Sequence, residues 1–188
     1  MHPDAEDDSE LARRCLAGDE AALRAFVGRF QGLIFALCVR MLSQRQDAED
    51  ATQETLLRAV RHLRHWDASR PLKPWLLAIA ANRCRTRLAQ RTRRPLDLGE
   101  RGDLAAVRSD GPELAEEMQR AVSGLREELR LCFVLFYQQE LSVQEIATTL
   151  ECPEGTVKTW LYRARKQIAR ELIERGVVDE SGHEVHRF

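Results

Sequence analysis

Residues 141–170 read LSVQEIATTLECPEGTVKTWLYRARKQIAR, two helical patterns broken by a tight turn. Ser142 and Glu145 stand at the S-x-x-E spacing of a capping box. A hydroxyl and a carboxylate there each satisfy a backbone group that the first helical turn leaves unpaired. Leu141 and Ile146 occupy the two positions of a hydrophobic staple, so the same helix start is specified twice. Leu150 closes that helix, a three-residue turn follows, and Pro153 is expected at the first position of the next helix with Cys152 as a weak cap. Many turns of this kind place Gly where Glu151 stands, because a left-handed backbone costs an ordinary residue about 1–2 kcal/mol. The turn is therefore expected to differ slightly from a glycine-containing one.

In the second helix Val157, Leu161, Ala164, Ile168 and Leu172 recur at helical spacing, with Trp160 at their border. Gly155, Thr159, Tyr162, Arg163, Lys166 and Arg170 lie opposite. A solvated surface helix gives such a pattern too. Here the outward face carries no acid over its central turns, and Gly155 with Thr156 leaves the helix start open to a backbone phosphate. The whole stretch predicts a DNA-reading helix-turn-helix.

Working outward, the rest of the chain is also helical in character. Many Ala, Leu, Arg and Glu residues, few aromatics, no alternating β-branched run, and no Asn-Gly or Asp-Gly hairpin turn between strand-like runs make the class all-α. Helices are expected over residues 113–123, 127–139, 142–150 and 153–174, followed by a frayed tail over 176–188. Residues 91–112 lose periodicity and gain Gly, Pro and charge, which predicts a flexible linker. Upstream, four helices over residues 9–90 form a bundle. Ser9 caps a short helix ending at Gly18, and Asp19 caps the next, whose apolar set is Leu23, Phe26, Val27, Phe30, Ile34, Leu37 and Met41. Ser43 or Asp47 starts a third helix that fades near Trp66. A loop over residues 66–73 leads to a fourth, with Pro74 in its first turn.

The third helix contains DAEDATQETLLRA, residues 47–59. Ala48, Ala51, Thr52, Thr55, Ala59 and Leu63 form its inward stripe; Asp50, Gln53, Leu57, Arg61 and Arg64 lie opposite. An apolar Leu57 thus stands among polar neighbours. Isolated exposed leucines are common and by themselves need no explanation.

The net charge of −1 is unusual for a nucleic-acid binder, but the charge is sorted. Residues 79–94 carry Arg83, Arg85, Arg87, Arg91, Arg93 and Arg94 with no acid, whereas the first ten residues carry five acids and no Lys or Arg. Five widely spaced cysteines without a CxxC pair suit reduced thiols rather than a disulfide frame or zinc site. No stretch of about 18–20 uninterrupted apolar residues occurs and the N-terminus is acidic, so a cytoplasmic protein without membrane insertion is expected. Paired catalytic carboxylates, a nucleophile with its base, a phosphate-cradling glycine loop and a metal-ligand cluster are all missing, so neither an enzyme, a cofactor nor a metal is expected. His183 and His186 lack further ligands nearby, and His62 and His65 read as solvated residues on a basic face.

Together the two halves resemble the extracytoplasmic-function (ECF) sigma factors, the small two-domain initiation subunits of bacterial RNA polymerase. DAEDATQETLLRA is similar to their polymerase-docking helix, WLLAIAANRCRTRL to the helix after their promoter-melting loop, and LSVQEIATTLECPEGTVKTWLYRARKQ to their reader of the upstream element. The resemblance implies that Asp50, Gln53 and Glu54 surround an apolar anchor at Leu57 on core polymerase. Trp66, Asp67, Arg70, Lys73, Asn82 and Arg83 would meet the opened −10 element, with Arg85 and Arg87 on phosphates. For the −35 element, Thr156, Lys158, Thr159, Tyr162 and Arg163 would touch base edges while Arg165, Lys166 and Arg170 hold phosphates. Promoter DNA, core RNA polymerase and an anti-sigma protein are the implied partners. Where family members often carry an aromatic ahead of the Trp-Leu pair, this chain has RPLKP. A competing reading is an independent helix-turn-helix regulator whose N-terminal bundle dimerises or senses a ligand; tight operator binding without polymerase would mark it.

Overall fold

The computed structural model describes residues 3–93 and 113–178. These hold helices and no β-strand, in two compact units that divide between Gly99 and Glu100. The first unit contains α1 (Pro3–Leu16), α2 (Glu20–Leu42), α3 (Arg45–His62), a 3-10 turn (Leu63–His65) and α4 (Leu72–Arg93). The second contains α5 (Glu113–Ser123), α6 (Glu127–Tyr137), α7 (Val143–Thr149) and α8 (Glu154–Glu174).

In the first unit α2 is the central element, packed on α1, α3 and α4. Asp19 caps it as expected, its carboxylate accepting from the backbone N–H groups of Ala21 at 2.8 Å and Ala22 at 3.1 Å. Arg14 braces that carboxylate at 2.7 Å. Their bonds hold the Asp19 carboxyl below its ordinary range, the Arg14 hydrogen bond contributing most. Phe26, Phe30, Ile34, Leu37 and Met41 are buried; Leu23 is half-buried and Val27 reaches the surface. Val27 sits one position round from Phe26, at the edge of a stripe that the neighbouring helices do not cover. By length and composition alone α2 could cross a membrane. Its apolar face is occupied by the core, where deleting a ring such as that of Phe26 costs about 3–5 kcal/mol. Cys38 and Cys84 meet where α2 packs on α4, their sulfurs 3.8 Å apart as free thiols.

Several boundaries differ from the expected ones. The first helix begins at Pro3, so Ser9 lies inside it rather than at its cap. Ser43 does not open α3; it ends α2 in a left-handed conformation at φ 60°, donating its N–H to the Val39 carbonyl. Gln44 caps α3 through its backbone alone, and Asp47 lies within the first turn. At the other end α4 runs on to Arg93, past the expected linker start at residue 91, and also takes in Leu72 and Lys73 from the expected loop. Residues 94–112, most of that linker, and residues 179–188 of the tail, with His183 and His186, lie outside the described residues.

In the second unit α8 packs on α5, α6 and α7. Val157, Leu161, Ala164, Ile168 and Leu172 are all buried, as their spacing predicted. The Ser142–Glu145 capping box is complete, and Leu141 and Ile146 are both buried. The turn retains the left-handed geometry with Glu151 at φ 52° in place of glycine. Cys152 N–H donates to the Ala147 carbonyl at 3.0 Å and Glu151 N–H to the Thr148 carbonyl at 3.3 Å, the paired bonds of a Schellman ending. Those bonds offset the strain of a side chain in that region. Pro153 caps α8 rather than occupying its first turn, with φ −62° and ψ 146°. Helix α6 stops at Tyr137, two residues short of expectation, because Gln138 and Gln139 both donate to the Val134 carbonyl at 3.0 Å. Burial pushes the Cys132 thiol up to about 12.

Candidate functional site

Helix α3 presents the arrangement its sequence suggested. Ala48, Ala51, Thr52, Thr55, Ala59 and Leu63 are buried, while the Leu57 side chain is 58% exposed between the polar groups of its outer face. Thr52 and Thr55 satisfy their buried hydroxyls by donating to the Ala48 and Ala51 carbonyls at 2.6 and 2.7 Å. This lets polar residues sit on the packed side. Asp50 and Gln53 are exposed and Glu54 is partly so. Glu54, Leu57, Arg58, Arg61, His62 and Arg83 line a shallow open depression beside the apolar knob.

The α4 arginines do something other than what the sequence suggested. Arg83 pairs with Glu54 at 3.0 Å. Arg87 reaches Glu54 at 2.7 Å, Asp47 at 3.5 Å and Asp50 at 3.6 Å, while its own side chain is only 18% exposed. Arg91 pairs with Asp47 and donates to the Gln44 amide oxygen at 2.7 Å and the Leu42 carbonyl at 3.0 Å. A three-arginine, three-carboxylate ladder therefore joins α4 to the start of α3. Groups 29 to 44 residues apart in sequence make it, and no helical periodicity signals it. Arg83 and Arg87 are thus engaged by carboxylates at the positions where phosphate contacts were expected.

Between the two helices, Asp67 folds its loop locally. Its carboxylate accepts from the Ser69 N–H at 3.0 Å and the Ser69 hydroxyl at 2.7 Å, with Arg70 at 3.4 Å. The Ser69 hydroxyl bond, then the backbone bond, hold the Asp67 carboxyl below its ordinary range. Trp66 is half-buried, with its indole N–H enclosed and without a hydrogen-bond partner among the described residues. It is thereby less available for stacking than a freely exposed ring. Lys73 is half-buried at the start of α4 and Asn82 is exposed further along it.

On α8, Tyr162 is 59% exposed and Lys158, Thr159, Arg163, Arg165, Lys166 and Arg170 are exposed around it, with Thr156 half-buried. A methyl group added at Gly155 would meet open space, so the helix start is uncluttered. The cations are not equivalent. Lys158 pairs with Glu154 at 3.7 Å and Arg170 with Glu174 at 2.7 Å. Arg165 donates to the Tyr137 hydroxyl at 3.4 Å. Arg163 and Lys166 make no ion pair among the described residues and line a groove with Gln167, Arg170, Glu171, Glu174 and Arg175. Tyr137, 44% exposed, with its ring tilted against Phe133 and edge-on to Phe136, was not among the sequence candidates, since the end of α6 reads as ordinary core.

A helical bundle in one unit and a helix-turn-helix in the next define an all-helical, two-part DNA-binding class. Residues 26–94 match the model of sigma-70 region 2 and residues 115–168 that of sigma-70 region 4. The chain is 32% identical over 182 residues to the RNA polymerase sigma-H factor of Pseudomonas aeruginosa, covering 89% of this chain and 94% of that protein. It is 32% identical over 172 residues to the ECF RNA polymerase sigma factor SigW of Bacillus subtilis, covering 82% and 91% of the two chains. Among solved structures it is similar to CnrH in complex with the cytosolic domain of CnrY, with TM-score 0.66, 25% identity and coverage of 89% and 97%. The sigma factor RpoE of Bartonella quintana, solved with the anti-sigma factor NepR, shares the fold, with TM-score 0.65, 21% identity and coverage of 79% and 95%. The chain belongs to the family of ECF RNA polymerase sigma factors.

Proposed function

We propose that the chain acts in the cytoplasm as a non-catalytic adaptor that brings core RNA polymerase to particular promoters. Residues 9–90 hold polymerase through Asp50, Gln53, Glu54 and Leu57 and help open the −10 element with the 66–73 loop and Asn82. Residues 113–175 read the −35 element with the exposed face of α8. Residues 91–112 connect the two functions, and 176–188 form a tail. CnrH is solved in complex with the cytosolic domain of CnrY and the sigma factor RpoE of Bartonella quintana with the anti-sigma factor NepR, which supports an anti-sigma partner here.

The observation that carries the reading is Leu57: an apolar side chain 58% exposed, ringed by polar groups on a helix whose opposite face is fully packed. Such a residue loses little by being exposed in the free protein and gains its burial energy, about 1.5–3 kcal/mol, only on docking. Leu57→Arg is expected to weaken binding to core polymerase at least tenfold while leaving the helical circular-dichroism spectrum unchanged. Undiminished binding by the well-folded variant would overturn the docking assignment.

A further inference from the structure

We infer that Arg87 is a positioning residue for polymerase docking: it makes no contact with polymerase itself but holds the carboxylates of Asp50 and Glu54 in the array that Leu57's partner surface meets. The inference rests on the docking reading above and extends it to a residue buried behind that face. Three observations carry it. Arg87 is the one cation of the ladder that reaches Asp47, Asp50 and Glu54 together, at 3.5, 3.6 and 2.7 Å. Its side chain is 18% exposed, whereas those of Asp50 and Glu54 are 53% and 41% exposed, so the arginine stands behind and the acids in front. Arg83 and Arg91 brace the two ends of the same row, on Glu54 and Asp47 respectively.

The physical consequence is pre-organisation. Three neighbouring carboxylates on about two turns of helix repel each other, and an unbraced Asp or Glu side chain samples several rotamers that docking must freeze. A guanidinium forks to more than one carboxylate and is not deprotonated, so it fixes spacing as well as charge; an ammonium supplies charge with looser geometry. Asp50 joins the ladder through Oδ2 alone, and Glu54, although Arg83 and Arg87 engage both its oxygens, stays 41% exposed to a partner, so the ordering cost is met in the free protein.

The test is a double-mutant cycle on the full chain, reading the dissociation constant for core polymerase. Arg87→Met is expected to weaken binding about fivefold in the native background and less than twofold in a Glu54→Gln, Asp50→Asn background, because the groups it positions are then gone. Arg87→Lys is expected to fall between, restoring about half of the loss. A stabilising role alone would lower the melting temperature and give the same fold-loss in both backgrounds; that result, or unchanged binding by a folded Arg87→Met protein, overturns the inference. Should Arg87→Met not fold, Arg87→Lys carries the same test, since the background dependence must appear there too. Failure of the docking reading shows separately, as full binding by Leu57→Arg.

Discussion

Arg163 and Lys166 are the two cations on the outer face of α8 with neither an ion pair nor a side-chain hydrogen bond among the described residues, and that difference orders the contacts expected of the proposed reading face. A cation already bonded to a neighbouring carboxylate must give up that bond to take a phosphate, which reduces what the exchange contributes. Lys166→Ala is therefore expected to weaken holoenzyme binding across promoter sequences alike and to lower the slope of log affinity against log salt by about one. Arg163→Ala, nearer the helix start, is expected to relax discrimination at one −35 position as well, by about 1–3 kcal/mol. Fluorescence anisotropy on wild-type and single-substituted promoter fragments measures both. Equal and salt-independent losses from the two variants would contradict this division. Arg170→Ala should cost less than Lys166→Ala, because Glu174 already neutralises it.

Helix α5 is tied to the end of α8 through Arg175, which donates to Glu117 at 2.8 Å and pairs with Glu171, while Arg120 also pairs with Glu117. The hydrogen bond from Arg175 holds the Glu117 carboxyl below its ordinary value of 4.5, with the charges of Arg120 and Arg175 adding to it. A carboxyl depressed in the folded state contributes stability above its unfolded value, and that contribution is lost as pH falls through the folded value. Glu117→Gln is thus expected to lower the melting temperature by about 1–5 °C at pH 7. The gap should narrow in thermal melts as pH falls below 4.5 and close once pH is below the folded value; a difference that persists in strong acid would show that packing, not charge, is at work. Local signals of this kind were the legible ones. The Asp19 cap, the Ser142–Glu145 box, the α8 core stripe and the exposed Leu57 all follow from neighbours within four residues or from helical spacing. Ser9 misled because a Ser at a helical cap spacing is equally compatible with a helix interior, and Ser43 because the same residue type ends α2 in a left-handed turn. The α3–α4 ladder was not legible at all: which arginines face which acids is decided by how two helices pack on α2, and a run of arginines without acids reads as a free basic patch until its neighbours are known.

Taken whole, the chain is nearly neutral, with a net charge of −1, although its function requires it to meet a polyanion. Within that balance the ladder pairs Arg83, Arg87 and Arg91 with acids of α3, so the exposed cations of α8 are the ones expected to meet DNA. A subunit so arranged is expected to bind promoter DNA weakly alone and to acquire affinity when polymerase supplies the remaining contacts, because linked contacts act as one high-affinity event. An independent helix-turn-helix regulator would behave in the opposite way, holding its operator tightly without help. The most direct measurement is run-off transcription with purified core polymerase on candidate promoters, comparing the native chain with Leu57→Arg. The account predicts promoter-dependent transcripts from the native chain, none from the variant, and no tight promoter complex when polymerase is omitted. Absence of transcripts from every promoter that the chain nevertheless binds tightly by itself would contradict it.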